Sequence, residues 1–329
     1  MSAGPALATR LFQGQPCVEL TLPSGDRARV ALFGAQVLSW ITADGTERIY
    51  LSPRARLDGS RPIRGGMPLC FPQFNQRALG PALLPKHGFA RSQAWQLRTV
   101  EEQPGWAEAS LVLSDTEQSR AIWPHAFAAT CTVTLEPDNL RVAFEVANTG
   151  ALSWPFAFAL HTYLQVDDIG RTELLGLQGL NYWDAVLHPD EPARRSNQGD
   201  RALRFGSETD RVYAKAKVPL MMRDGGGSLR IEQSASLPEV VVWNPGAVVC
   251  AALVDMPDCR LTHPPDRPAG AVVCAALVDM PADGFMHMLC VEAARVNTPQ
   301  LLLPGESWRG WQSLRVMPVA FHPSGFAPL

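Results

Sequence analysis

Three stretches of the chain combine residue types able to move protons or hold an anion. The first is Phe156-Ala157-Phe158-Ala159-Leu160-His161-Thr162-Tyr163-Leu164. Read as a strand, it points Phe156, Phe158, Leu160 and Leu164 to one side and Ala157, Ala159, His161 and Tyr163 to the other. The first side is a core. The second sets an imidazole and a phenol beside two small residues, which leaves room for a ligand. A single histidine in a strand more often serves packing, so the small neighbours are what make this one a candidate. The second stretch, Met286-His287-Met288-Leu289-Cys290-Val291-Glu292-Ala293-Ala294, is apolar at both parities, as expected of a strand covered on both faces. Glu292 is then a carboxylate in a buried run, and such groups are either paired with a cation or functional.

The third constellation runs Arg61-Pro62-Ile63-Arg64-Gly65-Gly66-Met67-Pro68, then Cys70-Phe71-Pro72-Gln73-Phe74, then Leu84-Pro85-Lys86-His87-Gly88-Phe89-Ala90-Arg91. Its glycines let the backbone turn sharply or approach a ligand. Arg64, Lys86 and Arg91 can gather around an anion, because guanidinium forks match phosphate oxygens; the alternative is a solvated basic loop. A histidine, a glutamate and a cationic loop suit proton transfer on a polar, anionic small molecule. No Walker pattern, Gly-x-Gly-x-x-Gly, Gly-x-Ser-x-Gly, Cys-x-x-Cys or His-Glu-x-x-His accompanies them, so nucleotide binding and the common hydrolase centres lack support. Cys259 and His263 have ligand-like spacing, but no second pair stands nearby, and no metal site is expected.

The elements that position these residues are short. Twenty-eight prolines and 26 glycines, spread over 329 residues, leave no room for long helices. Val18, Leu20 and Leu22 alternate, Pro23-Ser24-Gly25-Asp26 turns, and Ala28, Val30 and Leu32 continue: a hairpin. Cys131, Val133 and Leu135, a turn at Pro137-Asp138-Asn139, then Leu140, Val142, Phe144 and Val146 make a second. Repeated hairpins without a helical period predict an all-β, antiparallel sandwich or barrel, read as one domain over residues 1–329. Ser52 to Leu84, Asp184 to Arg201 and Pro257 to Pro268 read as long loops.

Gly246 to Pro257 reads GAVVCAALVDMP, and Gly270 to Pro281 repeats the same twelve residues. Two copies do not make a solenoid; a tandem duplication is the simplest account. Both copies are strand-like, and one slot in the sheet is expected for them.

The net charge of −3 gives no nucleic-acid or polybasic membrane footprint. No window approaches the ~18 apolar residues of a membrane helix, and Met1 to Pro16 does not read as a signal peptide. A cytoplasmic monomer is expected, with its seven cysteines reduced and mostly buried.

Several blocks, in order along the chain, carry a resemblance. They are Ile63-Arg64-Gly65-Gly66 with Phe71-Pro72-Gln73-Phe74, Pro85 through Arg91, Ala159-Leu160-His161-Thr162-Tyr163, Asp210-Arg211-Val212-Tyr213, Val242-Trp243-Asn244-Pro245, Cys290-Val291-Glu292-Ala293 and Leu303-Pro304-Gly305-Glu306. Together they span roughly residues 15 to 316, and with them the chain resembles the hexose-6-phosphate mutarotases (glucose-6-phosphate 1-epimerases) of the aldose 1-epimerase family. The resemblance implies a galactose-mutarotase-like β-supersandwich that interconverts the α and β anomers of a phosphorylated hexose without a cofactor. It implies His161 as general acid and Glu292 as general base. It further implies His87 and Asp210 on sugar hydroxyls and Arg64 and Arg91 on phosphate; Gln73 and Lys86 complete the expected substrate-binding set. Two departures stand out: Lys86 where a neutral polar residue is common, and Ala294 where a glycine is common. The duplication lies directly upstream of the Glu292 strand, and a one-residue register shift there would turn Glu292 into the core. Two other readings fit the same fold: an epimerase of free sugars, which needs no anion clamp, and a non-catalytic sugar-phosphate-binding module, which needs no proton transfer.

Overall fold

A computed structural model describes residues 9–76, 84–225, 227–247 and 279–318. Among them, alternating segments become antiparallel strands in three sheets of four, eight and nine strands, as the all-β reading expects. Both anticipated hairpins form. Gln15–Thr21 pairs with Arg27–Ala31, from Cys17 opposite Ala31 to Thr21 opposite Arg27. Phe127–Glu136 pairs with Asn139–Asn148 along its whole length, with Asp138 at positive φ in the turn. The described helices are brief: one α-helix, Glu117–Ile122, and three 3-10 turns. None is long and apolar enough to cross a membrane.

The nine-stranded and eight-stranded sheets share one core. Phe144 of the former stacks on Phe158 of the latter at 4.4 Å, and Trp308 of strand Ser307–Met317 meets Phe156 and Phe158 edge-on. The rings of Phe144, Phe156 and Phe158 are fully buried; each such side chain contributes about 1.5–3 kcal/mol of hydrophobic stabilisation.

The other face of the eight-stranded sheet carries the site. Ala157 and Ala159 of strand Trp154–Leu160 lie there with Val212, Val241 and Ala294, while Phe156, Phe158, Leu160 and Leu164 belong to the main core. That is the division of faces expected from alternation. Strand Met288–Leu302 runs between Trp154–Leu160 and Glu239–Asn244. Ala159 stands opposite Ala294, and Val241 opposite Glu292. Glu292 therefore shares the Ala159 face, and the register shift feared from the duplication has not occurred. Ala294, in place of a glycine, packs fully buried in that layer.

The structure corrects two local expectations. Met286-His287 is not strand: Gly284–His287 forms a 3-10 turn, because the Asn244 amide donates to the carbonyls of Phe285 and Met288, both at 2.8 Å. The His161 segment is not one continuous strand either. Pairing stops at Leu160 and resumes over Tyr163–Gln165, because the amide of His161 donates instead to Pro68 and that of Val291 to the Thr162 carbonyl. The described parts of the expected loops Ser52 to Leu84 and Asp184 to Arg201 persist, interrupted by the two-residue strands Leu69–Cys70 and Ser196–Asn197. The loop Pro257 to Pro268, Cys259, His263 and most of both repeat copies lie outside the described residues.

Candidate active site

The break in the strand at His161 delivers its ring into a cleft lined by Arg64, Phe74, Asn75, Lys86, His87, Arg91, His161, Tyr163, Asp210, Val241, Trp243 and Glu292. Seven of the eight anticipated residues thus meet, from segments more than 200 positions apart. Gln73 does not line the cleft: its amide nitrogen donates to the carbonyls of Asn75, Leu84 and Pro85 at 2.9–3.1 Å. It holds the loop that carries Lys86 and His87.

Close backbone packing fixes the cationic loops. Gly65, at φ +107°, lies so near the neighbouring chain that a Cβ would stand 2.5 Å from the Tyr50 carbonyl oxygen. The Arg-Gly-Gly glycines therefore let the chain pass against its own backbone, which pins Arg64. Gly88, at φ +72°, does the same against the Phe71 carbonyl, and the amide of Phe89 donates to that oxygen at 3.0 Å. Arg91 follows in the 3-10 turn Ala90–Ser92. One of its terminal nitrogens donates to the Lys86 carbonyl at 2.9 Å; its Nε is buried without a partner among the described residues. Arg64 donates from Nη1 to the Tyr163 hydroxyl and from Nε to Asp279, both at 3.1 Å.

His161 is held on three sides. Tyr163 stacks on it at 4.9 Å and 15°, and His87 and Trp243 meet it edge-on at 5.3 and 6.1 Å. Its Nε2 stands 3.4 Å from Glu292 Oε1. His161 Nδ1 and Glu292 Oε2 are buried with no hydrogen-bond partner among the described residues. Such groups cost about 1–3 kcal/mol each and cluster where a protein uses them. His87 is neutral: its Nδ1 accepts from the Asn75 amide at 3.3 Å, which leaves the proton on Nε2, and burial holds its pKa well below the usual value.

Burial also sets the charge state of the pair. It lowers His161 from the ordinary 6.5 to about 3, with Arg91 and Arg64 adding to the effect. It raises Glu292 well above the ordinary carboxylate value; Asp210 adds to this and Lys86 opposes it. Each group therefore favours its neutral form, and the pair holds one proton between them on the carboxyl side. Desolvation thus works against the charged form of both partners.

Tyr163, Trp243 and Asp279 complete the arrangement. Alternation flagged Tyr163. Trp243 lies in one of the family-like blocks but without a role, and nothing local marked Asp279. Size alone would have misled. A wider groove, lined among others by Tyr182, Arg201, Arg204 and Arg211, encloses about 1330 Å³ with its open mouth, against about 570 Å³ for the cleft. It holds no histidine, and Arg204 and Arg211 are paired with Glu173 and Asp184.

Comparison with known proteins gives the family of the chain. The sequence profile of the aldose 1-epimerase family matches residues 16–315. A Cenchrus ciliaris protein provisionally named glucose-6-phosphate 1-epimerase is 32% identical over 92% of this chain and 85% of its own. An Escherichia coli protein with the same provisional name is 29% identical over 88% and 87%. A crystal structure of a provisionally assigned mutarotase from Salmonella typhimurium superimposes with a TM-score of 0.78 at 25% identity, covering 96% of this chain and 95% of that one. A galactose mutarotase related enzyme from Lactobacillus acidophilus shares the fold at a TM-score of 0.64 and 13% identity, covering 91% and 97%. The profile spans almost the whole described chain, both flanks of the duplication included: the chain belongs to the aldose 1-epimerase family.

Proposed function

We propose that the protein interconverts the α and β anomers of a hexose 6-phosphate, with glucose 6-phosphate as the first candidate. One observation carries the substrate class: Arg64, Lys86 and Arg91 ring the same cleft that holds His161 and Glu292. A neutral sugar needs no such cationic rim, whereas a phosphate dianion matches it.

The reaction needs one proton removed from the C1 hydroxyl and one delivered to the ring oxygen. Glu292 and His161 hold one proton between them, so transfer across their 3.4 Å separation converts the neutral pair into carboxylate and imidazolium without exchange with solvent. Substrate favours that transfer. Its phosphate offsets Arg91 and Arg64, which lower His161. Glu292 then takes the hydroxyl proton as base. The O1–H electrons form the C1=O1 bond, the C1–O5 pair withdraws onto O5, and His161 protonates it. Rotation about C1–C2 and reversal of the roles close the ring on the other face. His87, with its proton on Nε2, and Asp210 act on sugar hydroxyls. Proton transfer of this kind is worth about 10²–10⁴-fold per group.

Magnetisation-exchange NMR on the anomeric protons of glucose 6-phosphate, against a buffer blank, tests the reading. Enhanced exchange for the phosphate sugar over free glucose and galactose is expected. Equal enhancement for free sugars would make the protein a general aldose epimerase. No enhancement in a folded sample would refute the enzymatic reading.

A further inference from the structure

The Arg64 guanidinium is buried, and it is set by a closed circuit of contacts. The Ser52 amide donates to the Arg64 carbonyl at 3.1 Å. The Ser52 hydroxyl donates to the Asp279 carbonyl at 2.6 Å. The Asp279 carboxylate accepts from Arg64 Nε at 3.1 Å, and Arg64 Nη1 reaches Tyr163, whose ring stacks on His161. Asp279 is itself buried at 9% exposure. A guanidinium held at Nε and Nη1 keeps one orientation toward the cleft it lines, and a buried charge of this kind needs such a partner.

Asp279 belongs to the second copy of the twelve-residue repeat, and Asp255 is its counterpart in the first. The two have the same nine neighbours on one side and Met-Pro on the other, so sequence cannot rank them. Asp255 lies outside the described residues. We propose that Asp279, supplied by the second copy and not by the first, is the positioning residue that fixes Arg64 for the phosphate group of the ligand. This rests on the hexose-phosphate reading. It adds that phosphate affinity depends on a residue without direct contact to phosphate, and that two identical segments have become unequal in use.

The duplication supplies its own control. Asp279→Asn and Asp255→Asn are compared with wild type by calorimetric titration with inorganic phosphate and by anomer-exchange kinetics on glucose 6-phosphate. Loss of a charge-assisted hydrogen bond weakens binding about ten- to a hundredfold. Asp279→Asn should therefore weaken phosphate and raise KM for glucose 6-phosphate by that factor, with kcat within about threefold. Asp255→Asn should match wild type in both. Asp279→Glu, which keeps the charge, should recover part of the affinity, an effect a purely structural role would not give. If Asp279→Asn melts before assay, Asp279→Glu and Asp255→Asn still decide. Equal losses from the two asparagine variants, unchanged phosphate affinity in Asp279→Asn, or no phosphate binding by wild type would overturn the proposal. Phosphate binding that depends on Asp279, in a protein that fails to accelerate exchange, would refute the catalytic reading and leave this one standing.

Discussion

Replacing Glu292 by glutamine separates a proton-transfer role from a structural one. The side chain keeps its size and loses its charge and its titration. As a proton-transfer group it should be worth about 10²–10⁴-fold in rate, or about 3–5 kcal/mol at 1.36 kcal/mol per tenfold. Stability should move the other way. Glu292 is 1% exposed, one of its oxygens has no partner among the described residues, and its folded pKa is raised by burial. The folded state thus keeps a proton that the unfolded chain releases near 4.5. As pH rises above 4.5, the wild type loses stability until the folded pKa is passed. The variant escapes that loss, so its stability advantage should grow from pH 4.5 upward. Exchange NMR at saturating glucose 6-phosphate gives the rate, and denaturant melts between pH 4 and 8 give the stability. A folded variant with near-wild-type exchange would refute the base role. A variant that melts below wild type throughout that range would show that the carboxyl group holds the structure.

His161→Asn should lose rate on the same scale. Because His161 falls to about 3 in the folded protein, the wild type sheds stability as pH drops from 6.5 toward 3. The variant should show a shallower acid-side slope in melts over the same range, the remainder coming from buried His87, and an unchanged slope would refute the burial argument. Arg91→Ala should raise KM for glucose 6-phosphate about ten- to a hundredfold and affect any exchange on free glucose far less, measured by the same NMR assay. Gly65→Ala places a Cβ against the Tyr50 carbonyl at positive φ; a loss of at least about 2 kcal/mol should appear in denaturant melts, with Arg64 displaced. Deleting Gly246 to Ala269 gives Pro245 the same Gly-Ala neighbours and retains Asp279. The shortened chain should fold and keep its KM; an insoluble product would mean that both copies are used.

The division of faces around His161 was legible in the sequence because it depends on strand alternation, a property of the local chain. So was the burial of Glu292, from a run apolar at both parities, and the cationic character of the loops. The family-like blocks added roles to residues that alternation could only place on a face. Gln73 shows where this stops. Its place in the family-like block Phe71-Pro72-Gln73-Phe74 put it in the expected substrate-binding set, yet its amide is consumed by the carbonyls of Asn75, Leu84 and Pro85, partners that only the folded loop supplies. The register of strand Met288–Leu302 after a duplicated segment was likewise undetermined until its pairing with Glu239–Asn244 fixed Glu292 opposite Val241. Two further matters belonged wholly to the tertiary structure. One is the protonation of the His161–Glu292 pair, since desolvation depends on everything packed around it. The other is the ion pair of Arg64 with Asp279, 215 residues away. Residue types and alternation are written in the chain; dielectric surroundings and long-range partners exist only once distant segments have met.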